Sequence, residues 1–254
     1  MKYLYFLLCK FYGFIVTNLE KKFLIKKKIN NSFDINLNGF EILKEGITTQ
    51  VINNEKEIIS NKYTIKRIVT EKSLLEFLEY LFIEKNLAKK ITERTNYEYS
   101  IDFFTNYQIS HIPENDISGD WYANKWHNDK PFSDNTLKII IPLNDTSSGN
   151  YGGIQILNLD DSKKLNLQNN ENNFLKYFEM KSSLDQLLIF FPKLCYHKAG
   201  NPMPNLKRDQ IMLQLNPAKV WCINSKIYKK QFNIEPKFPL INYMLEKKIN
   251  LNIN

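Results

Sequence analysis

Apolar and polar positions alternate along several short stretches of this chain, and the alternation predicts a protein built mainly of β-strands. The stretch at 97–110 is rich in aromatic and β-branched residues, and the run at 187–192 is apolar enough for a buried strand. In chain order, the predicted strands lie near residues 40–43, 63–69, 97–110, 137–143, 154–157, 187–192 and 211–215.

One stretch has the spacing of an amphipathic helix, and we predict a scaffold helix near residues 73–91. Ser73 and Glu76 have the spacing of a capping box and indicate its beginning. The polar, asparagine-rich residues 158–180 predict a loop with about one helical turn. The fold class is therefore mainly β with flanking helices (α+β). The apolar face of the helix is formed by Leu74, Leu78, Leu81, Phe82, Ala88 and Ile91.

Neither an internal repeat nor a Pro/Ser-rich linker divides the 254 residues, and their composition of 43% hydrophobic and 24% charged residues is typical of globular domains. We expect one domain at 29–218, preceded by a basic amphipathic segment at 1–28. A basic extension at 219–254 is expected to pack on the same domain. Three cysteines without a CxxC pair predict free thiols in a reducing, cytoplasmic compartment.

Basic charge is concentrated at the two ends of the chain. Residues 1–28 contain seven lysines and one glutamate, and residues 219–254 contain seven lysines and two glutamates. The residues between them contain 21 basic and 24 acidic side chains, which is a net charge of −3. Nucleic acid is therefore not the expected partner of the central body, and the ends of the chain are the expected places for anionic contacts.

The apolar stretch at 3–16 permits two interpretations. It is shorter than the roughly 20 apolar residues that cross a bilayer, and it lacks the small-residue cleavage site of a signal peptide. With the cluster Lys26, Lys27 and Lys28 behind it, it could form a helix that lies on an anionic membrane surface. The alternative is a helix that packs on the domain, with solvated lysines beside it.

His127 and Asp129 form the first candidate site, shortly before the strand predicted at 137–143. On a strand, side chains two residues apart point to the same face, about 6–7 Å apart along the backbone. An imidazole and a carboxylate in that arrangement can bind one metal ion. The alternative is a pair satisfied by hydrogen bonds at a strand end. A second histidine would complete the ligand face of non-haem Fe(II) oxygenases.

The second histidine is expected to be His197, because it lies at a strand–turn junction that a two-layer antiparallel fold could bring to His127. The third histidine of the chain, His111, is interpreted as structural. Arg208 follows His197 by eleven residues and opens another strand. If those strands are hairpin neighbours, the Arg208 guanidinium can bind the distal carboxylate of a 2-oxo acid in a two-pronged fork. The alternative is a surface ion pair.

These segments, in this order and spacing, resemble the Fe(II)/2-oxoglutarate-dependent dioxygenases, and within them the phytanoyl-CoA-dioxygenase-like group. The resemblance covers roughly residues 97–217 and does not extend to the first third of the chain or to its tail. One departure is Gly152-Gly153, where relatives often have Gly-Pro. The matching segments are 125–129, 137–145 with Gly152-Gly153 after it, 188–192 through 197–200, and Arg208.

The resemblance implies a double-stranded β-helix, which is a relative of the jelly roll. It implies that His127, Asp129 and His197 bind Fe(II) and that Arg208 binds 2-oxoglutarate. It implies a dioxygenase that uses O2, decarboxylates 2-oxoglutarate to succinate and hydroxylates an unactivated C–H bond. Asp129 favours hydroxylation over halogenation, because the radical halogenases of this superfamily lack the carboxylate.

The resemblance leaves the second 2-oxoglutarate contact and the substrate open. Gln155, Lys125 and Asn135 are candidates for the contact, and each also has a structural interpretation. The basic ends suit a small-molecule substrate that is anionic and linked to a lipid or sugar. The alternative function is a non-catalytic, cupin-like jelly-roll module that binds a metal or ligand, and such a module would not need the Arg208 guanidinium.

Overall fold

Two antiparallel sheets face each other in this protein. The computed structural model describes residues 2–25, 32–45, 52, 54–116, 122–129, 133–168, 176–229, 231 and 248–251. In these residues the large sheet has nine strands and the small sheet has three.

The strand bounds follow the sequence prediction closely in the middle of the chain. The strands of the large sheet are β1 (Phe40–Lys44), β2 (Asn54–Asn61), β3 (Thr64–Val69), β4 (Glu98–Ser110), β5 (Leu137–Pro142), β8 (Gln186–Phe190), β10 (Lys207–Ala218), β11 (Cys222–Asn224) and β12 (Lys248–Asn250). The strands of the small sheet are β6 (Ile154–Ile156), β7 (Phe178–Glu179) and β9 (His197–Ala199), in the order β7-β6-β9. The central path of the large sheet runs β1-β8-β5-β10-β4-β11-β12, and β2 and β3 extend from β4. The only parallel pair in the described sheets is β11 with β4.

Six α-helices accompany the sheets in the described residues. They are α1 (Lys2–Phe23), α2 (Asp34–Asn38), α3 (Glu71–Glu79), α4 (Leu87–Thr95), α5 (Leu159–Gln168) and α6 (Lys226–Lys229). A single π-helical turn, Tyr80–Glu84, continues α3, and short 3-10 turns lie at Glu114–Asp116 and Tyr122–Asn124.

Strand β10 divides the interior of the molecule into two compartments, because its side chains alternate between the faces of the large sheet. Ile211, Leu213 and Leu215 point to one face and join a core with residues of α3 and α4. Met212 points to the other face and packs on a second cluster that contains Ile140 of β5. That second face looks toward the small sheet, and it is the compartment in which the candidate site lies.

The two facing sheets confirm the predicted double-stranded β-helix. The second compartment also contains residues of the small sheet, such as Ile154 and Ile156 of β6. Ile156 pairs with His197 across the β6–β9 ladder, and cross-strand partners point to the same side of a sheet. The topology thus directs the His197 side chain toward β5 and β10.

The single scaffold helix predicted near 73–91 is wrong in two details. The helix begins at Glu71 and not at Ser73, because the Thr70 side chain is the N-cap and accepts a hydrogen bond from the Ser73 amide at 3.2 Å. It also breaks at Asn86, which has a left-handed backbone with φ of 55° and starts α4 in a new direction. Asparagine tolerates this conformation better than most residues.

The segment predicted as a loop at 158–180 also contains more helix than the one turn that was expected. Helix α5 has ten residues, and the Asn158 side chain accepts a hydrogen bond from the Asp161 amide at 2.8 Å at its beginning. Lys163 and Lys164 pair with Asp160 and Asp161 along the exposed side. Ion pairs three residues apart support a helix despite the asparagine-rich composition of the segment. Residues 169–175 of the predicted loop lie outside the described residues.

The apolar stretch at 3–16 belongs to α1, which ends at Phe23. One face of α1 packs on the body through the buried residues Gly13, Val16 and Thr17. Among the described residues, no helix is long and apolar enough to cross a membrane. The predicted cluster Lys26–Lys28 lies outside the described residues, and the predicted boundaries at 28 and 218 stay predictions.

Polar contacts fix α1 on the segment that precedes β5. The Thr17 hydroxyl accepts a hydrogen bond from the Asp134 amide at 2.9 Å, and Glu20 accepts one from the Asn135 side chain at 3.0 Å. Burial raises the pKa of the Glu20 carboxyl to about 7, while its hydrogen bonds with Ser133 and Asn135 oppose the shift. Docking of α1 therefore depends on a carboxyl group that titrates near neutral pH.

We predict that Glu20 makes the folded protein less stable as the pH rises. Its folded pKa, about 7, lies above the ordinary value of 4.5, so the protonated form is favoured by folding. The contribution of Glu20 to the free energy of unfolding should be full below pH 4.5, should fall between pH 4.5 and pH 7 by at most about 1.4 kcal/mol per pH unit, and should be lost above pH 7. Denaturant unfolding of wild type and Glu20→Gln at several pH values measures this. A wild-type-minus-variant difference that stays flat from pH 4 to pH 8 would contradict it.

Candidate metal centre

The backbone holds His127 and His197 directly opposite each other. The His127 amide donates to the His197 carbonyl at 3.1 Å, and the His197 amide donates to the His127 carbonyl at 2.9 Å. This reciprocal pair is an isolated antiparallel bridge. The strand alternation expected for His127 and Asp129 is therefore reduced to an isolated bridge, because the described part of this segment pairs with β9 at His127 alone.

A further backbone bond places Asp129. Its amide donates to the carbonyl of Pro192 at 2.8 Å, so the segment with His127 and Asp129 is attached to the 192–197 segment at both positions. Among the described residues, His127, Asp129 and His197 form a group whose candidate ligand atoms lie within 4.8 Å of one another. The tertiary structure thus brings together the three residues that the sequence analysis selected.

Both imidazoles are oriented by carbonyl oxygens two residues earlier in the chain. His127 Nδ1 lies 2.7 Å from the Lys125 oxygen, and His197 Nδ1 lies 3.0 Å from the Cys195 oxygen. Because a carbonyl oxygen only accepts, each Nδ1 must carry the hydrogen, and each Nε2 keeps its lone pair. The two Nε2 atoms each lie 3.9 Å from Asp129 Oδ1. Two nitrogen lone pairs and a carboxylate oxygen therefore face a common point.

The surroundings keep the histidines neutral and the carboxylate ionised. Burial lowers the pKa of His127, and it lowers the pKa of His197 to about 3. Burial alone would raise the pKa of Asp129, but the positive charge of Lys138 and its hydrogen bond to the carboxylate hold that pKa below its ordinary value. Neutral imidazole and ionised carboxylate are the forms that ligate metal ions.

Lys138 is the site residue that the sequence analysis missed. It lies on β5, where all six residues are buried, and its ammonium forms an ion pair with Asp129 Oδ2. Its register partners are Phe190 of β8 and Gln214 of β10. A lysine inside the run from Leu137 to Ile141 was a usable signal, because a charge in a buried strand needs a partner.

Aromatic packing closes one side of the centre. The rings of Phe190 and His197 meet edge to face with centroids 5.0 Å apart, and the two imidazoles lie 4.4 Å apart. Phe190 itself is fully buried. Water has little access from this side, so electrostatic interactions at the ligand atoms are stronger than at a solvated surface.

Arg208 reaches the same compartment from the start of β10, and its side chain is only 3% exposed. Nη1 donates to the carbonyls of Tyr151 and Gly200 at 3.0 and 3.2 Å. Nε and Nη2 are buried without a hydrogen-bond partner among the described residues. Burial lowers the pKa of Arg208 to about 10, against the opposing influence of Tyr107 and Glu179, and the group stays charged at neutral pH.

The predicted route from His197 to Arg208 is wrong. β9 belongs to the small sheet and β10 to the large sheet, so the two strands are not hairpin neighbours. Contact is made through the Gly200 carbonyl, which lies three residues beyond His197 and accepts from Arg208. The alternative reading of Arg208 as a surface ion pair does not apply, because the side chain is buried and none of the ion pairs among the described residues includes it.

Close backbone packing explains the Gly152-Gly153 sequence near Arg208. Gly152 has φ of +59°, and a Cβ there would lie 2.3 Å from the Asn201 backbone. A Cβ on Gly153 would lie 1.9 Å from the Met180 carbonyl oxygen, and one on Gly200 would lie 2.4 Å from the Gly153 oxygen. These glycines let the loops approach closely enough to present two carbonyls to the guanidinium.

Tyr107 and Gln210 form a second polar pair that the sequence analysis did not select. They are register partners on β4 and β10, and the Gln210 amide donates to the Tyr107 hydroxyl. Burial raises the pKa of Tyr107, and the charge of Arg208 lowers it. Gln210 follows Arg208 by two residues on β10, so both point into the compartment between the sheets.

The three candidates for a second 2-oxoglutarate contact lie apart from this compartment. Lys125 is exposed, and its carbonyl orients His127. Gln155 lies on β6 beside Ile156, which points inward, so its side chain points to the opposite face. Asn135 donates to Glu20 of α1. Their role in binding 2-oxoglutarate stays a prediction.

His111, interpreted as structural, is not part of the group of candidate metal ligands among the described residues. Its Nδ1 is 2.6 Å from the carbonyl oxygen of Pro202. Asn201 links the same two segments, because its side chain accepts from the Ile112 amide and donates to the Ile112 carbonyl. These hydrogen bonds connect the segment after β4 to the loop after β9.

Solved structures with a similar fold include iron- and 2-oxoglutarate-dependent proteins. The non-heme alpha ketoglutarate dependent epimerase SnoN from nogalamycin biosynthesis has a TM-score of 0.52 and 13% identity over 72% of this chain and 80% of its own. HygX from Streptomyces hygroscopicus, solved with nickel and 2-oxoglutarate, has a TM-score of 0.45 and 8% identity over 74% of this chain and 86% of its own. EctD from S. alaskensis, with bound Fe, has a TM-score of 0.45 and 11% identity over 76% and 81%.

The similarity to SnoN agrees with the double-stranded β-helix seen in the strand order. No protein-family model and no curated protein matches the sequence. The phytanoyl-CoA-dioxygenase-like subgroup stays a prediction from the sequence. Similarity to solved structures at 13% identity or less shows the fold alone. The evidence for ligands of this protein therefore comes from its own residues.

We predict that Lys138→Met strongly destabilises the metal-free protein. The substitution would leave the Asp129 carboxylate charged and nearly buried, and breaking a buried pair in this way costs about 3–5 kcal/mol. The free energy of unfolding, measured in a chelating buffer, should fall by that order. The matched control is Lys193→Met, which removes a more exposed ion pair with Asp134 at 2.8 Å and should cost under about 1 kcal/mol. Equal losses in the two variants would contradict the prediction.

Proposed function

We propose that this protein is an Fe(II)- and 2-oxoglutarate-dependent dioxygenase that hydroxylates an unactivated C–H bond of a small molecule. The observation that carries the proposal is the combination of a three-ligand group with a buried, half-satisfied arginine in one compartment. Either feature alone has other uses. Together they match the needs of a metal chelated by a dicarboxylic 2-oxo acid.

The ligand group fits Fe(II). Two neutral imidazoles and one carboxylate, His127, Asp129 and His197, form the ligand set of non-haem Fe(II) oxygenases. Both Nδ1 atoms are committed to backbone carbonyls, so both Nε2 lone pairs are directed inward before any metal binds. The ammonium of Lys138 beside Asp129 compensates the carboxylate charge until a cation takes its place near the same group.

The Arg208 site fits the distal carboxylate of 2-oxoglutarate. Nη1 is held by two carbonyls, whereas Nε and Nη2 are buried and have hydrogen atoms to donate. A carboxylate can accept from two guanidinium nitrogens at once, and the charge-assisted bonds would replace hydration lost by burial. In the double-stranded β-helix the apolar residues Ile140, Ile154 and Met212 would then enclose the carbon chain.

When bound, Fe(II) and 2-oxoglutarate supply the oxidising chemistry, in which O2 is consumed and 2-oxoglutarate is converted to succinate and CO2. The protein contributes the rest. His127, Asp129 and His197 bind the metal on one side, Arg208 orients the 2-oxo acid, and Phe190 keeps water away from His197. Such exclusion of water limits side reactions of a strong oxidant.

Hydroxylation is proposed because Asp129 provides the third protein ligand. A halide would need the coordination position that this carboxylate occupies. The epimerase SnoN shares the fold, so the outcome on the substrate is decided by how the substrate is held. For this chain we propose an anionic substrate linked to a lipid or sugar, since basic residues are concentrated in its two ends. The alternative, a cupin-like binding module, leaves the unpaired Arg208 nitrogens without a role.

Anaerobic titration of Fe(II) and 2-oxoglutarate tests the proposal directly. Wild-type protein should show the weak visible charge-transfer band of the chelated 2-oxo acid. Asp129→Ala should lose the band, because the remaining two imidazoles hold the metal too weakly. Arg208→Ala should keep the band but need at least about tenfold more 2-oxoglutarate, since removing one partner of a buried charged pair typically costs 2–5 kcal/mol.

Two controls make the titration decisive. Arg94→Ala removes a mostly buried arginine of α4 that is bonded to Glu41 at 2.9 Å, and it should leave the 2-oxoglutarate requirement unchanged. Succinate formation after admission of O2, with and without candidate substrates, separates turnover from simple binding. Folded, iron-loaded protein that shows no band would refute the dioxygenase, and a band without any succinate would favour the binding module.

A further inference from the structure

Helix α1 is attached to the body by its less apolar side. Among the side chains of α1 that the structure describes, Gly13, Val16, Thr17 and Glu20 face the body, and two of them accept hydrogen bonds from the segment 133–135. Surface helices normally bury an apolar stripe and expose a polar one. In α1 the arrangement is reversed, because small and polar side chains make the contact with the domain.

The outward side of α1 is mainly apolar and is interrupted by the exposed residues Asn18 and Lys22. We call this the outer face of α1 and define it by Leu7, Leu8, Phe11, Phe14, Ile15, Leu19 and Phe23. Most of these positions lie opposite to Gly13 and Thr17 around the helix, and Phe23 lies to one side at its carboxyl end. Phe11, Phe14 and Phe23 are 64%, 66% and 65% exposed, so all three rings are mostly in water. Large contiguous apolar surfaces of this kind mark interaction sites.

Positive charge accompanies the outer face. Lys10 and Lys21 lie along its border, and Lys22 lies within it near its carboxyl end. In the sequence three further lysines follow the helix at 26–28, and residues 1–28 contain only one acidic residue, Glu20, which is bonded to Asn135 on the body side. Apolar side chains with aromatic rings and flanking lysines are the composition of helices that lie in the interface of anionic membranes.

The charge distinguishes a membrane from a second copy of the chain as the occupant of this surface. Two copies meeting through α1 would bring one group of lysines against another, and like charges at short range repel. An anionic lipid surface offers apolar chains for the phenylalanines and negative headgroups for the lysines at the same time. Only the membrane satisfies both features of the face.

The attachment of α1 also places it next to the candidate metal centre. Ser133 is four residues from Asp129, which limits their separation to about 14 Å by the reach of an extended chain. Asp134 is further connected through its ion pair with Lys193 at 2.8 Å. Lys193 directly follows Pro192, whose carbonyl accepts from the Asp129 amide. A membrane against α1 would therefore lie beside the segment that carries the site.

We propose that the outer face of α1 is a membrane-binding surface, which inserts its phenylalanines into the interface of an anionic bilayer with the helix axis along the membrane plane. The planar orientation follows from the fixed docking of the opposite side on the body. This inference rests on α1 alone and does not depend on the proposed reaction. It gives a physical route by which a lipid-linked substrate would meet the centre.

Vesicle co-sedimentation of the full-length protein tests the surface without any turnover. Wild type should sediment with phosphatidylcholine vesicles that contain 30% phosphatidylserine, and at least tenfold less with pure phosphatidylcholine. Raising the salt from 50 mM to 500 mM should weaken binding severalfold, because ions screen the attraction of lysines to the headgroups. A variant of α1 that loses vesicle binding should still bind iron and 2-oxoglutarate. The membrane proposal and the dioxygenase proposal can therefore fail separately.

The triple variant Phe11→Ser, Phe14→Ser and Phe23→Ser should lose at least tenfold in vesicle affinity while its melting temperature and metal binding stay at wild-type values. The matched control changes three exposed apolar residues on other surfaces, Leu37→Ser, Ile59→Ser and Val220→Ser. That control should bind vesicles like wild type. Equal losses in the two triple variants would overturn the assignment of the surface to α1.

A tryptophan probe measures insertion directly. Phe14→Trp should gain a blue-shifted emission with anionic vesicles and be quenched by brominated lipid, relative to the wild-type background, whereas Ile59→Trp should show neither change. Two outcomes refute the proposal. One is folded protein that ignores anionic vesicles at low salt. The other is a dimer in sedimentation velocity that the triple phenylalanine variant abolishes while vesicle binding is absent, which would assign the outer face to a second copy.

Discussion

The reciprocal backbone hydrogen bonds between His127 and His197 are the constraint on which the candidate centre depends. They bring together two segments that are 70 residues apart in the chain and direct both imidazoles to one side. Asp129 is then placed by a single further backbone bond, to Pro192. Since backbone bonds do not depend on side-chain identity, the geometry is set before the ligands contribute anything. The side chains add the chemistry to an arrangement that the fold already maintains.

A polar compartment inside a double-stranded β-helix has to satisfy each charge that it encloses. Lys138 compensates Asp129, and burial keeps the imidazoles neutral. Arg208 is the exception, because two of its nitrogens are buried without a partner among the described residues. A buried donor without an acceptor is costly, and its persistence in a native fold is a mark of a ligand site. The two unsatisfied nitrogens of Arg208 are therefore the part of the compartment on which the proposed 2-oxoglutarate site rests.

The same reasoning applies on the outside of the molecule, where α1 presents phenylalanines to water and packs through Thr17 and Glu20. Exposed aromatic surface is costly unless something covers it, just as a buried unpaired donor is. Both features violate the usual distribution of polar and apolar groups. The two proposals, a small anion bound at Arg208 and a membrane bound at α1, rest on these violations.

The sequence by itself determined the middle strands, because alternation and β-branched composition are local properties, and it selected His127, Asp129, His197 and Arg208 through spacing and resemblance. The sequence did not predict the helix break at Asn86, because one residue with a left-handed backbone does not interrupt the apolar pattern. Only the tertiary structure decided which groups meet. It pairs Lys138 with Asp129 and Arg208 with Gly200. It also packs α1 on the segment 133–135. These contacts join distant segments or different sheets, and pairing between distant segments is set by the packing of the whole chain and not by any local pattern.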